Sequence, residues 1–242
     1  VRRDQGKMVF FDFRDRSGTV QGVVLPNSPA MEIAKQSNTE YVVSVTGNVN
    51  ARPEKNIQID KQNGNIELEV IDMEIINTSE TLPFEISSDT SGINEETRLT
   101  YRYLDLRSDR LQKTLKNRSN IQHYIRNYFF KNGFTEVETP LMSAPTPEGS
   151  RSYIVPSRLW KGNFYSLPQS PQQYKQLLMV AGIERYFQFA HCMRDEDTRG
   201  DRQPEFTQLD LEMSFATESE IMDMNEQLLI ELVQNFYPEK TI

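Results

Sequence analysis

The sequence holds one cysteine, Cys192, and two histidines, His123 and His191, among 242 residues. A single thiol cannot close a disulfide within the chain, and one Cys with two His cannot complete a zinc site without several carboxylates. Both scarcities fit a reducing compartment, the cytoplasm. No apolar run approaches the roughly 20 residues that a membrane helix needs; the longest are Met8 to Phe11 and Leu177 to Ala181. Val1-Arg2-Arg3-Asp4 carries no apolar leader, so no secretory signal is legible, and the chain reads as a piece that begins inside a domain. Neither common glycine-rich phosphate loop occurs, so any nucleotide must be held by other means. Internal repeats and low-complexity tracts are also missing.

What is present is a mildly acidic, polar chain long enough to bury a core in one large domain or two modest ones. Lys plus Arg is 27 against 35 Asp plus Glu, a net charge of −8. The charge is uneven. Arg98, Arg102, Arg107, Arg110, Lys113, Lys116 and Arg118 make a basic middle, whereas residues 203 to 239 carry nine acids and neither Lys nor Arg. Solvated helix faces account for both runs as well as a partner does.

Residues 1 to 77 read as short strands with turns between them: Val9 to Phe13, Thr19 to Leu25, Tyr41 to Val49 and Asn65 to Ile76, with a helical piece near Ala30 to Gln36. That spacing predicts a small β-barrel. Ile66, Leu68 and Val70 alternate, then Ile71, Met73 and Ile75 alternate in the opposite phase, which predicts a β-bulge at the slip. Residues 78 to 97, rich in Ser, Thr, Asn and Asp, read as a linker. From 98 to 242 helices mix with strands. A helix is predicted over Asp109 to Lys131 with a stop at Asn132-Gly133. A second has Ser170 as N-cap, Pro171 first, and Tyr174, Leu177, Leu178 and Ala181 as its buried stripe. Strands follow at Tyr186 to Met193 and Phe206 to Phe215, with Leu209, Leu211 and Met213 alternating against Gln208, Asp210 and Glu212. Thr217-Glu218-Ser219-Glu220 is a capping box opening the last helix.

Cys192 beside His191 on a strand predicts a packed thiol, because neighbours point to opposite faces. The densest polar cluster is the stretch Arg194-Asp195-Glu196 to Gln203-Pro204-Glu205-Phe206 between two strands, longer than a turn requires. Arg194, at the end of the first strand, is placed to grip a phosphate or carboxylate bidentately. A self-paired surface network is the competing reading. Gln172 and Lys175, three apart in the first turns of one helix, form a corner suited to a small carboxylate; an exposed Lys on an amphipathic helix is the alternative.

Several stretches taken together resemble the class II aminoacyl-tRNA synthetases, and within them the bacterial aspartate-specific branch. Lys131-Asn132-Gly133-Phe134-Thr135-Glu136-Val137-Glu138-Thr139-Pro140-Leu141 is similar to class motif 1. Arg194-Asp195-Glu196 through Gln203-Pro204-Glu205-Phe206-Thr207-Gln208-Leu209-Asp210 is similar to motif 2. Tyr101 to Arg107, Thr146 to Arg151 and Gln169-Ser170-Pro171-Gln172 also match. The resemblance implies an α+β chain: an N-terminal OB-fold anticodon-binding barrel, then part of a catalytic domain with an antiparallel sheet flanked by helices.

It further implies ligation of L-aspartate to tRNA(Asp) through an ATP-derived adenylate, in a homodimer joined through motif 1, with Tyr124, Tyr128, Phe129 and residues 133 to 141 at the contact. Arg194 would hold the ATP α-phosphate and the carboxylate being activated. Asp195, Glu196, Gln203 and Phe206 would complete the ATP site, Phe206 stacking on adenine. Glu148, Ser170, Gln172 and Asp210 would surround the ammonium of aspartate, and Lys175 its side-chain carboxylate. Arg3, Phe10 and Gln21 would read the anticodon, although Val9 and Phe11 alternate with Phe10 and one face must be core. The family pattern is incomplete here. The first barrel strand, the inserted domain, motif 3, a second Arg for the aspartate side chain and the acids for Mg2+ are not in the sequence, and Met193 stands where an aromatic is usual. The isolated 242-residue chain is therefore expected to be inactive. Asparaginyl and lysyl enzymes, or a non-catalytic RNA-binding or amino-acid-sensing relative, are the rival readings; Lys175 opposes a lysine substrate by like charge.

Overall fold

A computed structural model describes residues 1–241. The chain divides into two compact units, Val1–Lys113 and Thr114–Ile242. In the first, β1 (Arg2–Gln5), β2 (Met8–Arg14), β3 (Thr19–Val24), β4 (Val42–Ala51) and β5 (Ile66–Asn77) form one sheet in the order β1-β2-β3-β5-β4, with helix α1 (Met31–Gln36) between β3 and β4. β3 and β5 pair in parallel, the other neighbours antiparallel. The buried core is Val9, Phe11, Val24, Ala30, Ala34, Val70 and Met73. Strand β1 has no counterpart in the predicted strands, since Arg-Arg-Asp-Gln offers no apolar alternation to detect.

The phase slip in β5 is a bulge. Gly47 pairs with Val70 and Thr46 with Asp72, so Ile71 is the extra residue, turned outward while Val70 and Met73 stay buried. Gly47 sits at that step for steric reasons: a Cβ there would lie 2.3 Å from the Glu69 carbonyl oxygen.

The polar stretch after β5 is more than a spacer, although its Ser and Asp content hides this. Helices α2 (Glu95–Thr100) and α3 (Arg102–Asp105) follow a 3-10 turn at Thr90–Gly92. Asp105 has no exposed surface; it accepts from the buried Thr90 hydroxyl and from Arg102, with Arg98 at 3.8 Å. Much of the basic middle is thus spent on ion pairs, including Arg107 with Glu40 and Arg110 with Asp89. Burial pushes the Asp105 carboxyl up, but the Thr90 hydrogen bond and the Arg102 and Arg98 charges outweigh it and hold the group below its ordinary value of 3.8. A lowered carboxylate stabilises the fold above that value, and the contribution is lost as pH falls below it. Asp105→Asn is expected to cost about 2 kcal/mol in urea unfolding at pH 7, less below pH 3.8, because it strands two arginines and a buried hydroxyl. A loss under about 0.5 kcal/mol at neutral pH would contradict this.

In the second unit α4 (Asp109–Lys131), which starts in the first, ends where Gly133 takes φ +77°. β6 (Thr135–Glu136) pairs parallel to β9 (Arg185–Met193), which pairs antiparallel to β10 (Glu205–Met213). This sheet is therefore mixed rather than wholly antiparallel. Alternation divides the β9–β10 ladder into two faces. Phe187, Phe189, Leu209, Leu211 and Met213 pack with α4 and with α6 (Glu218–Phe236) around Phe129 and Leu228. Tyr186, Gln188, Ala190 and Cys192 lie opposite Glu212, Asp210, Gln208 and Phe206 on the other face. Thr217 closes the predicted capping box with Glu220 at the start of α6. A hairpin of β7 (Ile154–Pro156) and β8 (Phe164–Ser166) precedes helix α5 (Gln172–Val180).

Two local expectations fail. Ser170 does not cap α5; its hydroxyl donates to Glu148 instead, and Pro171 occupies the cap position without a side-chain bond. The α5 stripe is not buried as a whole, since Leu177 is 62% exposed and Ala181 lies in the open, leaving Tyr174 and Leu178 half-buried. Of the residues expected at a subunit contact, Tyr124 and Tyr128 are partly exposed. Phe129 is fully buried, and the Tyr124 and Tyr128 hydroxyls bond Glu231 and the Met224 carbonyl of α6. Phe130 and Leu141 are the apolar side chains of that region left half-exposed.

Candidate active site

The polar face of β9–β10 carries the site. At the hairpin end, the backbone N–H of Arg194 donates to the Pro204 carbonyl at 2.8 Å, continuing the ladder one step beyond Met193 and Glu205. Between them the chain makes a wide loop whose tip turns at Gly200, with φ +60°. A cleft of about 1350 Å³ opens here, lined by Arg194, Asp195, Glu196, Gln203 and Phe206, the whole predicted nucleotide set. Arg118 of α4 and Arg151 line it too. The Arg194 guanidinium lies 5.2 Å from the centre of the Phe206 ring. It has no ion-pair partner among the described residues. Arg199 and Arg202 form no ion pair among the described residues either, so the self-paired network that is the alternative reading of this loop is not formed. Asp195 differs: its backbone bridges Arg151 and its carboxylate lies 3.8 Å from the Arg151 guanidinium, so it ties the loop to the 146–151 segment. Glu196 and Gln203 are exposed at the cleft mouth.

Lys175 is far from an exposed lysine. Its side chain is 12% exposed, and its ammonium lies 3.0 Å from Asp210 Oδ1 and 3.2 Å from Glu212 Oε2. Burial lowers its pKa, but the hydrogen bonds and charges of the two carboxylates more than reverse this and hold it above 10.5. For Asp210, burial is the largest influence and the nearby Glu212 charge adds to it; with one cation shared between two carboxylates, its carboxyl stays above its ordinary range. Glu148 Oε1 accepts from Ser170 at 3.0 Å and from Thr146 at 3.1 Å, which fixes a carboxylate on a loop. Gln172, in the first turn of α5, makes no side-chain hydrogen bond among the described residues. Cys192 is buried and His191 exposed, as alternation predicts, and burial pushes the thiol up to about 11, away from nucleophilic use.

Glu212 and Thr146 are absent from the predicted site. Glu212 could have been found: it shares the strand face of Asp210 two residues away. Thr146 opens the matched stretch Thr146 to Arg151, but only Glu148 of that stretch is in the predicted site. Among the described residues no group of three or more His, Cys, Asp or Glu could hold a metal ion.

In the first unit, Arg3, Phe10 and Gln21 are brought to one face. Register places Arg3 and Val23 beside Phe10, and Gln21 beside Asp12 two residues on. Val9 and Phe11 fill the core on the other face, so Phe10 is not part of it. Arg3 is tied to Asp12 at 2.8 Å.

A wide cleft at the β9–β10 hairpin, a largely buried lysine held by β10 carboxylates and a separate small β-domain are in keeping with a class II aminoacyl-tRNA synthetase. The comparisons narrow this. Residues 94–241 match the family of class II tRNA synthetases (D, K and N), to which the chain belongs, and residues 1–76 match the OB-fold nucleic-acid-binding domain. An aspartate–tRNA ligase of Lysinibacillus sphaericus is 51% identical over 94% of this chain and 39% of its own length. An aspartate–tRNA(Asp/Asn) ligase of Rubrobacter xylanophilus is 49% identical over 100% and 40%. The crystal structure of asparaginyl-tRNA synthetase from Pyrococcus horikoshii, complexed with asparaginyl-adenylate, superposes with a TM-score of 0.81 at 27% identity, covering 97% of this chain and 52% of that one. The chain thus spans about two fifths of the length of the curated relatives it matches.

Proposed function

We propose that the full-length protein activates L-aspartate with ATP and transfers it to the 3′ end of tRNA(Asp). The observation that carries this reading is the buried Lys175, set on the same strand face as the Arg194–Phe206 pair. Phe206 and Asp210 are four strand residues apart, about 13 Å, which suits an adenine stacked at one end and an amino-acid side chain at the other. In the first step a carboxylate oxygen of aspartate attacks the α-phosphorus, and the bond to the leaving pyrophosphate breaks. Arg194 would bridge the reacting carboxylate and phosphate and offset their charge. Glu196 and Gln203 would hold the nucleotide. Glu148, Ser170 and Gln172 would receive the substrate ammonium. Asp210 is engaged with Lys175, so its part would be to hold that cation for the substrate carboxylate. A hydroxyl of the terminal ribose then attacks the carbonyl and AMP leaves.

One ammonium between two carboxylates is already one negative charge in excess, so a third carboxylate would need a second cation, in keeping with the second arginine of the family pattern. Mg2+ would assist the ATP phosphates, with ligands other than the described residues. A homodimer would use the half-exposed Phe130 and Leu141 beside motif 1. No helix among the described residues is long and apolar enough to cross a membrane; the proposed enzyme would work in the cytoplasm.

ATP–pyrophosphate exchange by the full-length protein, comparing aspartate, asparagine and lysine, tests the reading. Exchange with aspartate alone is expected. Exchange with asparagine at equal efficiency would favour the asparaginyl activity of the Pyrococcus neighbour, and none with any of the three would favour a non-catalytic relative. For the OB-fold domain, Phe10→Ala is expected to raise the KM for tRNA in aminoacylation by about tenfold, the worth of one stacked base. An unchanged KM would remove Phe10 from the RNA-binding surface.

A further inference from the structure

The polar face of β9–β10 contains two buried polar atoms that the proposed reaction has not used. Neither the Tyr186 hydroxyl nor Asp210 Oδ2 makes a hydrogen bond of ordinary length and alignment, although the two groups act on each other as a loose donor–acceptor pair, and Tyr186 has no exposed surface. Register puts Tyr186 opposite Glu212 and Gln188 opposite Asp210, so Tyr186 and Asp210 are diagonal neighbours on one face, within reach of a long side chain. One is a donor and the other an acceptor, and the bond between them is only loosely made. The other carboxylate oxygen of Asp210 is committed to Lys175 at 3.0 Å. Such an arrangement is costly unless it is used, because buried polar atoms are nearly always paired.

We propose that Tyr186 is a positioning residue for substrate recognition, whose hydroxyl tightens its loose hold on Asp210 when an incoming carboxylate draws the Lys175 ammonium toward itself. This rests on the aspartate reading above. Lys175 cannot serve a substrate at full strength while both of its neighbours claim it. A hydroxyl that then donates to Asp210 keeps that carboxylate satisfied and lets the cation turn. Burial, and after it the charge of Asp210 and its hydrogen-bond pull, push the Tyr186 hydroxyl well above its ordinary pKa, so it remains a donor throughout the working range. The other titratable groups acting here are Glu212 on the same strand as Asp210 and Cys192 on the strand of Tyr186, and neither offers Asp210 a competing hydrogen bond.

The test is Tyr186→Phe in the full-length protein, which keeps the buried ring and removes only the hydroxyl. The expected result is an aspartate KM raised about tenfold in exchange, with the ATP KM unchanged, and a smaller rise in melting temperature on adding aspartate. The ligand-free melting temperature should change little, since the hydroxyl holds Asp210 only loosely in that state. An unchanged aspartate KM overturns the proposal. So does a variant that fails to fold, or whose ligand-free melting temperature falls in proportion to its loss of binding, since Tyr186 would then be a structural group. If the unmutated protein shows no aspartate-dependent exchange, the underlying reading fails; a normal unmutated protein with an indifferent variant defeats this inference alone.

Discussion

Arg194→Ala in the full-length protein is expected to lower aspartate-dependent ATP–pyrophosphate exchange by about a thousandfold, roughly 4 kcal/mol of transition-state stabilisation. The size follows from where the guanidinium sits. It stands over Phe206, without an ion pair among the described residues, in the wall of the cleft at the β9–β10 hairpin. An arginine held this way loses no existing salt bridge when it turns to a ligand, so its full electrostatic effect is available to the charge that builds between carboxylate and α-phosphate. Lysine is expected to restore little, because a point charge cannot span two oxygens as the planar fork does. The same geometry predicts a small effect on folding. Only the ring contact is lost, about 1 kcal/mol at most for a partly exposed pair, so the melting temperature should barely move. A loss of exchange below tenfold in a folded variant would remove Arg194 from the reacting atoms.

What the sequence revealed of this site, and what it hid, divides along a physical line. Features set by local periodicity were legible. The bulge at Ile71 shows as a phase slip, α4 stops where Gly133 can take a positive φ, and the Thr217 box depends on residues three apart. Arg194 and Phe206 were legible because a hairpin holds both ends of its loop together. Features decided by tertiary partners were not. Ser170 has the spacing of a helix cap, yet Glu148, 22 residues away, offers its hydroxyl a carboxylate. Leu177 has the spacing of a core residue, yet nothing among the described residues covers it. β1 is held by pairing with β2 and by the Arg2 guanidinium on the Lys35 and Ser37 carbonyls, and Asp105 is buried within a polar stretch because three donors converge on it. The identity of the Lys175 corner was within reach of the sequence, but not its burial, which requires Asp210 and Glu212 from a strand 35 or more residues further on.

That burial makes Lys175 the second large lever. Lys175→Met keeps much of the volume and removes the charge, and it should act on specificity and stability at once. Asparagine is nearly isosteric with aspartate, so shape alone cannot separate them; discrimination must come from a cation that one satisfies and the other does not. In a site where that cation is 12% exposed, solvent offers asparagine little compensation. The ratio of kcat/KM for aspartate over asparagine is expected to fall by about a hundredfold or more, through loss of aspartate use rather than gain of asparagine use. The fold should suffer as well. Asp210 and Glu212 would face each other with no cation between them, and breaking a buried pair on one side costs about 3 to 5 kcal/mol unless a carboxyl takes up a proton. Asp210 already stands above its ordinary range, so it is the group that would do so, and the variant should regain part of its stability as pH is lowered toward 5. The signs differ in a useful way. In the unmutated protein Lys175 stands above its ordinary pKa, so its pairing is fully present below about 10.4 and fades only as pH rises through the shifted value. A variant that keeps its preference for aspartate, or whose stability ignores pH between 5 and 8, would show that the ammonium is structural and that selectivity is set elsewhere.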